Sequence, residues 1–262
     1  MPTSSRTFDD HMAAWKEWQD APWGRLRYRI AQVNLFRYLP DETTLRILDI
    51  GGGNGLDSIP LAALGHEITL VDYSAEMLSE ACQNAEEMNL SDALTVHHAD
   101  LSALPTLFPE PAFDVVLCHN VLQYVDDLNL AVQTICDTLQ PGGLLSIMSV
   151  NRHSSVFRAM LQGGDIAAIE QELDAPTSQA STFEVPVRRF AIEDIVQPLQ
   201  NAGCMVMGQY GVRCVCDYLP NNEQKSDPAF FAQLERLELA LTDRYPYNLL
   251  GRFFQIIARK LV

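Results

Sequence analysis

The chain has 262 residues, 47% of them apolar, and carries 34 Asp and Glu against 18 Lys and Arg, a formal net charge of -16. That supplies a full α/β core in one domain with an insertion; with no run of 18 apolar residues and no charged-then-apolar leader, neither a membrane span nor a signal peptide is expected, and the protein is expected to be cytoplasmic. A uniformly acidic surface would repel nucleic acid, but the charge is uneven: from Ile47 to Asn151 there are fifteen acidic residues and no Lys or Arg.

Helical periodicity opens the chain. Phe8, Met12, Trp15 and Trp18 are spaced for one apolar stripe, and after a break at Ala21-Pro22-Trp23-Gly24 a second helix is predicted from Arg25 to Tyr38, stopping before Pro40. Residues 1–45 read as a helical cap able to lie over the ligand edge of a following sheet. Strands are then predicted at 46–50, 67–72, 94–98, 114–118 and 144–149, and helices at 57–64, 75–88 and 128–139, with Gly65 and Pro141-Gly142-Gly143 as stops. Such alternation means a doubly wound, mostly parallel sheet, with residues 46–150 as its cofactor-binding core.

Residues 151–192 interrupt the pattern with Gly163-Gly164, a polar stretch from Ala175 to Ser181 and Arg188-Arg189, and are expected to form a mobile substrate cap or loop. A helix at 193–201, a strand at 204–210, a helix at 228–242 and a strand at 252–260 complete the sheet domain over 193–262. The long helix between the two final strands favours an antiparallel hairpin at the sheet edge. The six cysteines are scattered through apolar segments without C-x-x-C pairs or histidines at zinc spacing, and His97-His98 reads as a strand end, so no metal is expected.

Residues 48–55 read Leu48-Asp49-Ile50-Gly51-Gly52-Gly53-Asn54-Gly55 directly after an apolar run. An acid followed by glycines at every second position calls for a tight strand-to-helix turn whose backbone lies against a ligand. As D-x-G-x-G-x-G it is similar to the S-adenosylmethionine loop of class I methyltransferases. The dinucleotide pattern G-x-G-x-x-G fails, with Leu56 where its third glycine should stand. Asp49, a candidate cofactor contact in that loop, also suits a buried carboxylate that organises it, and the two roles are compatible. The next strand ends in Asp72, about 20 residues on, the offset of a carboxylate that accepts both ribose hydroxyls, with Tyr73 beside it; the competing role for Asp72 is a helix cap, which Ser74 fills as easily. Asp100, after Ala99, stands where this fold class reads the adenine amino group.

Further segments extend the likeness: Phe8-Asp9-Asp10, Gly24-x-Leu26-Arg27, Leu139-x-Pro141-Gly142-Gly143, Gly211-Val212-Arg213, Asp217-Tyr218-Leu219, Pro246-Tyr247, Leu250-Gly251-Arg252 and Ala258-Arg259-Lys260. With the glycine loop and Asp72-x-Ser74-Ala75 they resemble the bacterial tRNA 5-carboxymethoxyuridine methyltransferase family across the whole chain. The glycine and L-x-P-G-G elements occur in many methyltransferases, whereas the C-terminal series is specific. The resemblance implies a Rossmann-like seven-stranded sheet with an antiparallel last strand. It also implies S-adenosyl-L-methionine as cofactor, held by Arg27, Gly52, Gly53, Asp72, Ala99, Asp100 and His119, with Arg27 reaching the methionyl carboxylate; Gly51 and Tyr73, beside these in the loop and after Asp72, are further candidate cofactor contacts. Read from residues alone, Arg27 is equally a surface helix charge and His119 a strand-end histidine.

By the same resemblance the substrate is tRNA, methylated on the carboxylate of a modified uridine; a small-molecule acceptor is the alternative. A carboxylate, with a pKa near 4, is already ionised at neutral pH and needs no general base. It needs a cation or donors to hold it, for which Arg213, Tyr218, Tyr247 and Arg252, in the family-specific segments, are the candidates. A hydroxyl acceptor would instead require a base, His119 being nearest. Whether Arg25, Arg27, Arg29, Arg37, Arg152, Arg158, Arg188, Arg189 and Arg213 gather on one face or disperse stays open.

Overall fold

In the computed structural model of the chain the described residues are 12–41, 43–173, 177–179 and 186–262. The expected stripe begins with Phe8, outside that range, as does Phe8-Asp9-Asp10. Helix α1 spans Met12–Asp20 and α2 Pro22–Phe36. Pro22 opens α2 three residues earlier than predicted, because proline at a first helical position has no amide to lose and a φ already set for the helix. The break shrinks to Ala21, in extended conformation.

The sheet comprises β1 (Arg46–Ile50), β2 (Glu67–Asp72), β3 (Leu94–His98), β4 (Phe113–His119), β5 (Leu139–Val150), β8 (Cys204–Val212) and β9 (Phe253–Lys260), in the order β3-β2-β1-β4-β5-β9-β8. Strands β1 to β5 run parallel, while β9 lies antiparallel between β5 and β8. This is the doubly wound class I topology with an antiparallel last strand. Central strands are covered on both faces, and accordingly Ile47, Leu48, Val116, Leu145, Ile147 and Ile256 are at most 1% exposed.

Helices α3 (Ile59–Ala62), α4 (Ala75–Glu87), α5 (Leu104–Leu107), α6 (Leu128–Asp137), α7 (Ser154–Leu161), α8 (Ile166–Glu172), α9 (Ile192–Asn201), α10 (Asn222–Ser226) and α11 (Pro228–Leu241) complete the chain. One sheet face is packed by Val132 and Ile135 of α6 with Ile195 and Leu199 of α9, the other by Leu26 and Ile30 of α2, one turn apart, against Met148, Val212 and Phe253. Two boundaries differ from expectation. The helix predicted over 57–64 is regular only at Ile59–Ala62. Pro141-Gly142-Gly143, read as a helix stop, lies within β5, where Gly142 at φ +81° takes up a register jump from Leu139 to Leu144.

Residues 151–190, expected to be a cap or loop, carry α7, α8 and a short antiparallel pair, β6 (Thr177–Gln179) and β7 (Pro186–Arg188), with a bridge between Asn151 and Phe190. Among the described residues no helix is long and apolar enough to cross a membrane. The strand order reverses between β1 and β4, and the crevice beyond their C-terminal ends is where a ligand is expected in such a sheet.

Candidate active site

At the end of β1 the chain turns back on itself: Gly51 takes φ +65°, its N–H donates to Val71 O at 2.7 Å, and a Cβ there would stand 2.4 Å from Val121 Cγ2. At Gly52 a Cβ would fall 2.5 Å from Asp49 Oδ2. The bare backbone therefore has steric causes of its own, with Asp49 filling the space beneath. Asp49 is 1% exposed and its Oδ2 has no hydrogen-bond partner. Burial, then the charge of Asp57, pushes its pKa up to about 7. Its position beneath the turn suits the loop-organising role, and it does not line the cleft.

Above the turn opens a cleft of about 900 Å³, the size of a site for a nucleoside-bearing ligand. Gly51, Gly52, Gly53, Asp72, Tyr73, Ala99, Asp100, His119 and Arg27 all line it. Asp72, 7% exposed, accepts from Gly53 N at 2.9 Å on Oδ2 and from Ser74 N at 2.8 Å on Oδ1. The Tyr73 N–H donates to the same carboxylate, and with about four acceptor sites in all the group keeps room for a further donor. Ser74, not Asp72, caps α4 by accepting from Met77 N. Asp100 is exposed and accepts from Ser102 N and Oγ.

Two contacts were not read from the sequence. Asn54 of the glycine loop exchanges amide hydrogen bonds with Gln19 of α1, at 3.1 and 3.0 Å, and donates to Glu80 at 3.1 Å, which fastens the first helix over the turn. Asp57 stands between Arg27 and His119: Arg27 Nη1 donates to its Oδ2 at 2.6 Å, and its Oδ1 lies 3.2 Å from His119 Nδ1. Burial opposes the Asp57 charge, but Arg27 and then His119 outweigh it and hold the carboxyl far below its ordinary range. His119 Nε2 is 2.8 Å from Ser146 Oγ, while Nδ1 is buried beside Asp57 with no hydrogen bond formed. Asp57 was legible only as a residue at a helix start.

Across the cleft the lining is basic. Arg152, Arg158, Arg188, Arg189, Arg213, Lys225 and Arg252 line it, which settles the later arginines onto one face. The N-terminal ones divide: Arg27 enters the cleft, whereas Arg25 stacks on Phe231 and Arg29 and Arg37 pair with Glu235 and Asp243.

At the centre of this wall three guanidinium groups gather around one carboxylate, and two of them pair with it. Arg213 binds Asp217 through Nε at 2.7 Å and through Nη2, and Arg158 Nε lies 3.7 Å from Asp217. Arg252 pairs with no carboxylate among the described residues. Burial, then Arg158, lowers the Arg252 pKa to about 9. Asp217 stays ionised: burial raises its pKa, and Arg213 more than reverses this. The cluster keeps two uncompensated positive charges, which suits an anion.

Its backbone is held from behind. Glu238, fully buried on α11, accepts the N–H groups of Cys214 at 2.5 Å, Val215 at 3.0 Å and Cys216 at 2.7 Å. Arg213, at φ +63°, accepts on its carbonyl oxygen from Arg252 N at 3.0 Å, and Tyr218 Oη donates to Leu250 O at 2.5 Å. Tyr218 thus lines the cleft with its proton committed. Tyr247 is not brought there: it sits on the Tyr247–Leu250 turn, 47% exposed.

Comparison with known proteins agrees with this geometry. The pattern of the family described as a methyltransferase domain matches residues 41–203. The tRNA 5-carboxymethoxyuridine methyltransferase of Escherichia coli strain K12 is 34% identical over 239 residues, 90% of this chain and 89% of that protein. The ubiquinone biosynthesis O-methyltransferase of Psychrobacter cryohalolentis is 30% identical over 159 residues, 58% of this chain and 61% of that one. Among solved structures, an S-adenosylmethionine-dependent methyltransferase of Thermotoga maritima, described as a possible histamine N-methyltransferase, superposes with a TM-score of 0.65 at 19% identity, covering 97% of this chain and 98% of its own.

Proposed function

The chain belongs to the methyltransferase-domain family and is an S-adenosylmethionine-dependent methyltransferase, and we propose that its acceptor is the carboxylate of 5-carboxymethoxyuridine in tRNA. The observation that carries this reading is the Arg158-Arg213-Arg252 cluster with one counterion, Asp217. An anion entering there would meet planar donors suited to a carboxylate, with Arg252 unspent.

S-adenosylmethionine, when bound, supplies an electrophilic methyl group on a sulfonium. The residues present fit that cofactor. The Gly51–Gly53 main chain would lie against it, the remaining acceptor capacity of Asp72 would take the ribose hydroxyls, and Asp100 would face the adenine end. Arg27, whose Nε has no partner, would take the methionyl carboxylate. The protein's part in the transfer is then alignment, which can remove roughly 7–11 kcal/mol of barrier. Arg252 and Arg158 would hold the acceptor carboxylate in line, and no proton needs to move.

A hydroxyl acceptor, as in a small-molecule O-methyltransferase, would need a base within hydrogen-bond reach. Nε2 of His119 is taken up by Ser146 Oγ, and Nδ1 is buried beside Asp57 Oδ1 at 3.2 Å without a hydrogen bond formed, so neither is exposed as that base, which favours the carboxylate reading. Residues 151–192 would form the acceptor-side cap, with Arg152, Arg188 and Arg189 facing tRNA phosphates, and such a substrate would place the enzyme in the cytoplasm. The test is transfer of labelled methyl to tRNA bearing 5-carboxymethoxyuridine, compared with tRNA whose uridine lacks the carboxylate. Label in the first alone is expected. No label there at saturating cofactor ends the reading.

A further inference from the structure

We propose that Asp57 is a positioning residue for methyl transfer: its carboxylate fixes the Arg27 guanidinium at the amino-acid end of the cofactor site and seats the His119 ring beside it. The proposal rests on the assignment of Arg27 to the methionyl carboxylate.

Arg27 projects from α2 and is 3% exposed, so its charge must be matched inside the protein. Asp57 is the carboxylate that touches it, at 2.6 Å, and only one of the five guanidinium N–H donors is spent there. Nε is buried and unpartnered. The guanidinium also lies over the Tyr28 ring, 4.3 Å from its centroid, which limits where it can turn. A charged group pinned by one atom, with donors to spare, is arranged to receive a second anion.

Asp57 is itself fixed. The next residue, Ser58, donates its N–H to Gly55 O at 3.1 Å, and Gly55 is held at φ +78°. The second carboxylate oxygen faces His119, whose ring continues through Ser146 Oγ to Gln255 Nε2 at 3.0 Å and from Gln255 Oε1 to Asn34 Nδ2 at 3.0 Å. The Arg27–Asp57–His119 set is therefore anchored in the sheet and in α2 without help from a ligand. Without Asp57, the guanidinium would be a buried charge with no carboxylate at contact distance, and it would leave the position that a cofactor needs filled.

Calorimetry with S-adenosylhomocysteine tests this on wild type, Arg27→Ala, Asp57→Asn, Asp57→Glu and the Arg27→Ala/Asp57→Asn double variant. Loss of a charge-assisted contact predicts about tenfold weaker binding for Arg27→Ala. Asp57→Asn, nearly isosteric, is expected to lose about as much alone but less than about twofold when Arg27 is already absent. Asp57→Glu should recover part of the loss. A merely structural role would give the same loss in both backgrounds and would overturn the proposal, as would unchanged or tighter binding by Asp57→Asn. An unchanged Kd in Arg27→Ala would sink the assignment of Arg27 and the proposal with it. A loss in Arg27→Ala beside wild-type affinity in Asp57→Asn would sink the proposal alone.

Discussion

The two walls of the cleft come from different stretches of chain and carry opposite charge. The wall built from residues 47–151 presents glycine main chain with Asp57, Asp72 and Asp100, and has no Lys or Arg to offer. The wall built after residue 151 presents six arginines and Lys225 against Asp217. A cationic sulfonium nucleoside suits the first and an anionic acceptor the second, so a net charge of -16 is compatible with an anionic substrate: what matters is the field inside the cleft, where solvent screening is weakest. Arg27 is the exception, a cation reaching the acidic wall, and there Asp57 meets it.

The comparison breaks most sharply at Asp72. Its two oxygens organise the turn through Gly53 and Ser74 and face the cleft. Removing two charge-assisted contacts, each about 1.5–3 kcal/mol, should make Asp72→Ala bind S-adenosylhomocysteine roughly 100-fold or more weakly by calorimetry. A variant that binds as tightly as wild type would mean that the acidic wall does not hold the cofactor.

On the opposite wall, Arg252→Ala should leave the cofactor Kd within about twofold while lowering kcat/KM for the acceptor by about 10- to 100-fold, roughly 1.4–2.7 kcal/mol. Arg252→Lys should recover little, since an ammonium lacks the two-pronged fit to a carboxylate. Equal damage to both substrates would show that the walls are not independent.

How far these walls were legible follows from how local each signal is. The glycine turn and Asp72 were readable because the turn needs positive φ and the acid ends a strand, both written in adjacent residues. The doubly wound, mostly parallel sheet followed from alternation. Asp57 was not readable, since its partners Arg27 and His119 lie 30 residues before and 62 after it and nothing in Gly55-Leu56-Asp57-Ser58 marks a buried ion pair. Arg158 was visible as a charge, yet its joining Asp217 depends on α7, in a stretch whose glycines and polar residues read as loop. Tyr247 was drawn in by sequence likeness alone, and its surface position shows that neighbourhood in the chain does not fix direction.

A smaller effect is expected behind the basic wall. Glu238 accepts three consecutive N–H groups that hold the Arg213–Cys216 turn. In Glu238→Gln one of them must face an amide NH2, which should cost about 1–3 kcal/mol of stability. Thermal unfolding would read this as a lower Tm, and the acceptor KM should rise while the cofactor Kd holds. An unchanged Tm and KM would mean that the turn keeps its shape without the carboxylate.

A last effect, read only as a change with pH, tests the acidic wall from beneath. Asp49, buried and next to the charge of Asp57, has its pKa pushed up to about 7 from an ordinary 3.8. Between those values the folded protein holds a proton that the unfolded chain releases, so stability from this group is complete below about pH 4 and is lost as pH rises through about 7. Asp49→Asn cannot titrate, so its Tm should fall less than that of wild type between pH 5 and 8. Asp57→Asn removes the second cause of the shift and should move the wild-type slope to lower pH. Parallel Tm profiles in all three proteins would mean that Asp49 is ionised throughout this range, and that the floor of the glycine turn is as fully charged as its wall.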